Sequence, residues 1–250
     1  MTDTPRIRLH VTADLAAGAA VALEAGQGHY LGNVMRLGPG AAVAVFNGRD
    51  GEWRARIAAL RRGEGSLTVE ERLRGQDAPA DLWLLFAPIK RARIDILAAA
   101  ATELGVAALW PVTTRHAAVE RVNVERLRAN AIEAAEQCER LTVPEVMAPA
   151  RLEAALAGWA GGRRLLLCDE TRDAPPIADA LSGLAGPPGP WGILVGPEGG
   201  FARAELDALR KLPFITPVSL GPRILRAETA ALAALACWQS LLGDWRGRPA

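Results

Sequence analysis

Two turns in the last third of the chain hold the residues best suited to chemistry. One is GPEGG (196–200), which follows the apolar run WGILV. The other is GPRILRAET (221–229), which follows FITPVSL. In each, a proline fixes φ and removes an amide proton, while glycine lets the main chain approach a ligand closely or take positive φ. The product is a fixed array of backbone carbonyls and amides, suited to the edge of a neutral base such as adenine. One such loop is equally an ordinary tight strand-to-helix connection. Two at successive strand ends point to a ligand, because α/β sheets bind ligands where their strands end. The second loop adds Arg223 and Arg226, with Glu228 at the start of the next helix. Arg226 is placed to stabilise negative charge that develops during a reaction. Glu228 reads first as an acid favoured by the helix dipole.

Positioning those turns requires parallel strands, and the pattern after Asp81 supplies them. LWLLFAPI is a continuous apolar run of the kind a strand buried on both faces shows. A helix is expected from Arg91 to about Leu104, ending at Gly105. ALWPV, a helix near Val124 to Glu139, RLLLCDE and a short helix near Ile177 follow, and then the two turn-bearing units. Strands alternating with helices at this spacing predict an α/β domain with a mostly parallel sheet. GLAGPPGPWG (183–192) reads as a loop. The following segment, ETAALAALACWQSLLGDW, is apolar on nearly every face and is expected to be buried on several sides, a subunit interface among them.

The first part has a different rhythm. RIRLHV and EWRARI alternate, AVAVFNG runs into the turn NGRDG, and RRGEG leads into SLTVEERL. Short strands about glycine-bearing turns predict hairpins and a small β-barrel, interrupted by a helix from His29 to Leu37. RGQDAPA (74–80) has a linker's composition. The expected division is therefore residues 1–74, a linker at 75–80, and 81–250.

Composition narrows the function classes. Half of the 250 residues are hydrophobic, 23% are charged and the net charge is +1, so no global field draws nucleic acid and any basic patch is local. Only Lys90 and Lys211 are lysine among the 29 basic residues. With the abundant alanine this reflects a compositional bias, so a lone arginine counts for little. Cys138, Cys168 and Cys237 form no CxxC, and His10, His29 and His116 lack metal-ligand spacing, so neither a metal nor a disulfide framework is expected. There is no GxGxxG after a strand, no GxxxxGK[ST] and no GxSxG. MTDTPRIRLHV carries no apolar signal region and no apolar stretch reaches bilayer length, which predicts a soluble, cytoplasmic protein without a membrane partner.

VGPEGGF (195–201) and LGPRILRAETA (220–230) together resemble the paired signatures of the ribosomal RNA small subunit methyltransferase E family (RsmE), of the SPOUT class. The likeness extends through TELGV (102–106), EAAEQCERLTVPEV (133–146), PRIRLHV and HYLGNVMRLGPG, in order along essentially the whole chain. The resemblance implies a PUA-like, RNA-binding β-barrel followed by a SPOUT-type α/β domain whose chain makes a trefoil knot. It also implies a homodimer that uses S-adenosyl-L-methionine to methylate N3 of one uridine in the 16S rRNA of the small ribosomal subunit. By the same likeness Leu194, Val195, Gly196, Glu198, Gly199, Leu220, Gly221, Leu225 and Arg226 would cradle the methyl donor, largely through backbone groups. Arg6, His29 and Arg36 would face RNA, and Lys90, Arg93 and Arg115 would reach phosphate, each against the alternative of a solvated surface charge.

The sequence departs from the family pattern at Ala100, where lysine is common, and at Ala202, where Ser or Thr usually caps the helix. Glu205 keeps the acidic half of a capping box. Cys138 replaces a small residue in EQCER and is expected to pack. For the implied reaction, Arg226 and Glu228 are the catalytic candidates. Arg226 would stabilise charge spreading over the uracil ring, while Glu228, Glu198 and water all stand as the base for the N3 proton. The alternatives are an inactive ribosome-associated RNA-binding protein, a SPOUT methyltransferase acting on another RNA such as tRNA, and a metabolic nucleotide-binding enzyme. The missing phosphate loops weigh against the last.

Overall fold

The computed structural model of the chain describes residues 5–61, 64–117, 121–159, 161–171, 173–182 and 189–246. Most of the expected loop at 183–192, and Arg62 and Gly63 of the RRGEG turn, lie outside these residues. The chain forms two compact units: residues 1–78 with Ala135–Val143, and Pro79–Ala134 with Pro144–Ala250.

The first unit holds β1 (Arg8–His10), β2 (Ala20–Leu23), α1 (Ala25–His29), β3 (Ala42–Phe46), β4 (Glu52–Arg61) and β5 (Glu64–Arg74). They build one five-stranded sheet in the order β1-β3-β4-β5-β2, antiparallel except for the β1–β3 pair. Register shifts between Glu52 and Trp53, Trp53 and Ala55, and Ile57 and Ala59 interrupt the β4–β5 ladder, and such bulges bend a ribbon around its core. That core includes Val21, Leu31, Val43, Val45, Ile57 and Leu67.

β3 is buried at four successive positions rather than at alternate ones, because a second layer covers its outer face. Phe46 packs on Ala135 and Leu141 of the Ala135–Val143 segment. Arg8 ties that segment down: its guanidinium donates to the carbonyls of Ala135, Glu136 and Arg140 at 2.7–2.9 Å and to Glu52 at 2.6 Å. Arg74 reaches the other oxygen of Glu52 at 2.8 Å. Burial pushes the Glu52 carboxyl up, but the bonds from Arg74 and Arg8 outweigh it and hold the group below its ordinary value.

The expected helix from His29 to Leu37 is corrected by the structure. α1 starts earlier, with Gln27 Oε1 accepting the Glu24 amide at 3.1 Å. The chain then widens into a π-helical turn over Tyr30–Val34. It closes with Arg36 in the left-handed region at φ +54°, a position usually given to glycine. Gly26 and Gly28, poor helix formers, hid this start in the sequence. Cys138, expected to pack, is exposed.

The second unit contains β6 (Leu82–Phe86), α2 (Arg91–Glu103), β7 (Ala108–Thr113), most of α3 (Val124–Gln137), β8 (Glu145–Val146), β9 (Ala150–Arg151), α4 (Leu152–Ala157), β10 (Arg164–Cys168), α5 (Ile177–Ser182), β11 (Trp191–Val195), α6 (Arg203–Leu209), β12 (Ile215–Val218) and α7 (Ala227–Leu241). Its sheet runs β12-β10-β11-β6-β7-β8, with β9 pairing to β7, and every pair is parallel. This is the expected mostly parallel α/β sheet. α2, α5 and α7 contribute to the core on one face; α4 and α6 contribute to the core on the other. The strand order decides function. From β10 the chain lays β11 on one side and β12 on the other, so three strand ends and the loops that follow them adjoin. A reversal of that kind opens a crevice outside the carboxyl ends of the strands.

Candidate active site

The crevice is present. A cavity of about 310 Å³ lies over the ends of β10, β11 and β12, walled by Cys168 to Glu170, Val195 to Gly200, and the turn from Ser219 to Leu225, with Ala227 and Ala230 of α7 behind. The two Gly-Pro turns therefore face one space. Val195, Gly196, Glu198, Gly199, Leu220, Gly221 and Leu225 all line it, as does Arg223.

Two of the residues assigned to the cradle do not line it. Leu194 is buried in the core under α4 and α6, because alternation along β11 sends Ile193 and Val195 to the opposite core. Arg226 is the N-cap of α7, exposed and outside the cavity wall. Its guanidinium makes no ion pair with any described residue, which leaves it available to a second substrate.

The turns hold their shape by local contacts. Gly200 has φ +68°, and a Cβ there would lie 2.5 Å from the Glu170 carboxylate. That carboxylate accepts the Phe201 amide at 2.8 Å, fastening the first turn to the end of β10. Gly221 takes φ +100° with nothing within 4 Å of a Cβ position, so this turn is glycine for its conformation and leaves open space beside it.

Asp169 is wholly engaged. One oxygen accepts the Thr171 amide and hydroxyl at 2.9 and 2.7 Å, and the other accepts from Arg210 at 2.6–2.8 Å. Cys168 is a neutral wall: burial, with the nearby Cys237, Asp169 and Glu170, pushes its thiol up to about 12. The sequence reading missed Cys168, Asp169 and Glu170. Their signal was RLLLCDE, a strand ending in acids, but only the strand order places that end between the two turns.

A charge cluster borders the site. Arg93 on the first turn of α2 stands 3.6 Å from Glu198 and 3.5 Å from Glu228. Glu228 has its second oxygen buried without a partner among the described residues. Arg93 thus ties the first turn to the start of α7. Lys90, the N-cap of α2, and Arg115, after β7, are exposed.

In the first unit Arg6, His29 and Arg36 are exposed, and His29 Nδ1 lies 3.0 Å from the Asn33 amide nitrogen. The capping expectation for α6 is corrected. Ala202 supplies no side-chain cap, and Glu205 accepts the Arg115 amide at 3.3 Å instead. Among the described residues no cluster of three or more His, Cys, Asp or Glu could hold a metal, and no helix is long and apolar enough to cross a membrane.

Comparison with known proteins gives this geometry a lineage. Residues 76–239 match the family model described as an RNA methyltransferase domain, and residues 23–70 match that of an RNA methyltransferase PUA domain. A ribosomal RNA small subunit methyltransferase E from Rickettsia conorii is 33% identical over 231 residues, 92% of this chain and 93% of that protein. The Synechocystis protein of the same name is 35% identical over 239 residues, 94% of this chain and 78% of its own. The crystal structure of a ribosomal RNA small subunit methyltransferase E from Neisseria gonorrhoeae, bound to S-adenosyl methionine, superposes with a TM-score of 0.85. Its identity is 29%, over 96% of this chain and 99% of the other. Two adjoining Gly-Pro turns at a parallel strand reversal, carried by a chain with such relatives along nearly its full length, leave one assignment: this chain belongs to the ribosomal RNA small subunit methyltransferase E family.

Proposed function

We propose that this protein transfers a methyl group from S-adenosyl-L-methionine to N3 of a uridine in the 16S rRNA of the small ribosomal subunit. The observation that carries the reading is the convergence of both Gly-Pro turns on one cavity, in a chain whose relatives bear that methyltransferase name. The residues present fit the methyl donor. Backbone groups of Val195 to Gly200 and Ser219 to Gly221 suit an adenine edge, Leu220, Leu225 and Ala230 offer an apolar surface, and Glu170 stands in the wall for a hydroxyl or ammonium. When bound, the donor supplies a methyl already activated on sulfonium.

The protein's tasks are then to position two reactants and to manage one proton. The two turns would hold the donor so that its methyl can face the uridine nitrogen. Arg226, outside the cavity wall and with no ion-pair partner among the described residues, stabilises charge that spreads over N3, O2 and O4 as the N3 proton leaves. Glu228 is held at the same helix start by Arg93, and its second oxygen, without a partner among the described residues, makes it the strongest side-chain candidate to accept that proton. Arg6, His29 and Arg36 hold RNA through the first unit, read as a PUA-like module over residues 1–74. Lys90 and Arg115 meet phosphate from the second unit. A second copy of the chain covers the half-buried Leu232, Cys237 and Leu241 of α7, giving a homodimer.

Labelled methyl transfer to small subunits lacking the modification, followed by mapping of the product nucleoside, tests the reading. A single 3-methyluridine in 16S rRNA is expected. Methylation at another ring atom, or of tRNA alone, defeats it.

A further inference from the structure

Ile224, in the second Gly-Pro turn, is 89% exposed. Three other large apolar side chains are exposed among the described residues, Val34, Ile96 and Trp245, each at 56–60%, and none of them lines the cavity between the turns. Ile224 does. A residue that both lines a cavity and stands open to solvent is at its mouth. Single apolar side chains scattered over a surface need no explanation. One at the mouth of a reaction cavity is different, because an acceptor arriving from solvent has to cross it to reach a donor held inside.

The charges around Ile224 narrow what crosses. Asp169, Glu170 and Glu198 line the cavity, and each is engaged. Asp169 is held by Arg210 and Thr171, Glu170 by the Phe201 amide at 2.8 Å, and Glu198 by Arg93 at 3.6 Å. Arg223, next to Ile224, and Arg226 further along the turn are exposed, and neither guanidinium has an ion-pair partner among the described residues. Gly221, at φ +100° with nothing within 4 Å of a Cβ position, leaves space beside them. An apolar side chain flanked by two free guanidinium groups complements an anionic strand that carries flat apolar faces: single-stranded nucleic acid. A second copy of this chain, at a net charge of +1, brings no such negative charge to the arginines. A base that undergoes chemistry has to leave its stack, and isoleucine is among the side chains that enter an opened base step. We propose that Ile224 is the apolar wedge of the RNA site: it packs against the base next to the target uridine and holds the step open while the uridine enters the cavity. The inference rests on the methyl-transfer reading for the identity of that nucleotide.

Photo-crosslinking tests the contact. The full chain carrying Ile224→p-benzoylphenylalanine, irradiated with small ribosomal subunits that lack the modification, should crosslink to 16S rRNA beside the methylated uridine. A crosslink to a second copy of the chain instead, or to no RNA, overturns the proposal. Ile224→Ala should weaken subunit binding roughly tenfold, the scale of losing one buried apolar side chain, with the slope of log affinity against log salt unchanged. Arg223→Ala should reduce that slope by about 1. Ile224→Ala should keep the parent's S-adenosylhomocysteine affinity and melting temperature, and Ile224→Leu should restore subunit binding. An equal loss of S-adenosylhomocysteine affinity would place Ile224 in the donor cradle, and unchanged subunit binding would leave it a solvated turn residue; either result overturns the proposal. Labelled methyl transfer by the parent chain keeps the two readings apart. Methylation of 16S rRNA without an RNA crosslink from position 224 overturns the wedge alone, whereas a crosslink to 16S rRNA without methylation overturns the proposed reaction alone.

Discussion

Arg226 illustrates how a residue's role follows from where its side chain is not. It caps α7 through its backbone, with the guanidinium exposed and outside the cavity wall. Arg226→Ala should therefore leave S-adenosylhomocysteine affinity unchanged in calorimetry. It should slow single-turnover methyl transfer roughly hundredfold, the scale on which one preorganised donor to developing charge acts. Equal losses in both measurements would return Arg226 to the cofactor cradle. Cys168 gives the opposite lesson. It lines the cavity, yet with its thiol pushed up to about 12 it stays protonated at pH 8, and thiolate is the reactive form. Iodoacetamide at pH 8 should modify the exposed Cys138 and leave Cys168 unlabelled by mass spectrometry, with or without S-adenosylhomocysteine.

At the scale of elements, α6 has a defect that can be repaired. Its N-cap, Ala202, has the extended backbone angles of a cap (φ −62°, ψ 142°) but no oxygen to offer. Ala202→Ser should add about 1 kcal/mol of stability, read as a higher denaturation midpoint with an unchanged slope. Glu52 anchors the Ala135–Val143 segment through Arg8, and its folded carboxyl titrates below the ordinary 4.5. A depressed acid contributes stability above its unfolded value and loses it as pH falls through the folded one. Glu52→Gln should therefore cost about 3 kcal/mol at pH 7, the scale for breaking a buried pair. The cost should shrink steadily below pH 4.5, and a penalty independent of pH would assign Glu52 a packing role only. Elements with strong periodicity, such as α3, and apolar runs such as LWLLF were legible in the sequence. The helix start at Ala25 was not, because two glycines mask it. The burial of both faces of β3 was not either, because the covering segment lies some ninety residues further along the chain.

At the scale of the whole molecule, the sequence named both turns of the site but not the third strand end between them. Strand order is a tertiary fact, and nothing local in RLLLCDE says which neighbours it takes. The net charge of +1 likewise sets a whole-molecule constraint: affinity for RNA has to come from local clusters, since no long-range field supplies it. In the first unit Arg36 holds a left-handed conformation at φ +54°, which costs a non-glycine residue roughly 1 kcal/mol. Such strain persists only where its surroundings over-determine it, and the proposed RNA contact of Arg36 is one cause that a substitution can test. Arg36→Gly separates the two roles, since it relieves the backbone and removes the charge together. The variant should be at least as stable as the parent in urea. It should bind small ribosomal subunits more weakly, with the slope of log affinity against log salt reduced by about 1. Arg6→Ala should lower the slope similarly without a gain in stability. If Arg36→Gly is more stable and binds subunits with an unchanged salt slope, the exposed arginine is a solvated turn residue, and the RNA-facing surface of this unit lies elsewhere.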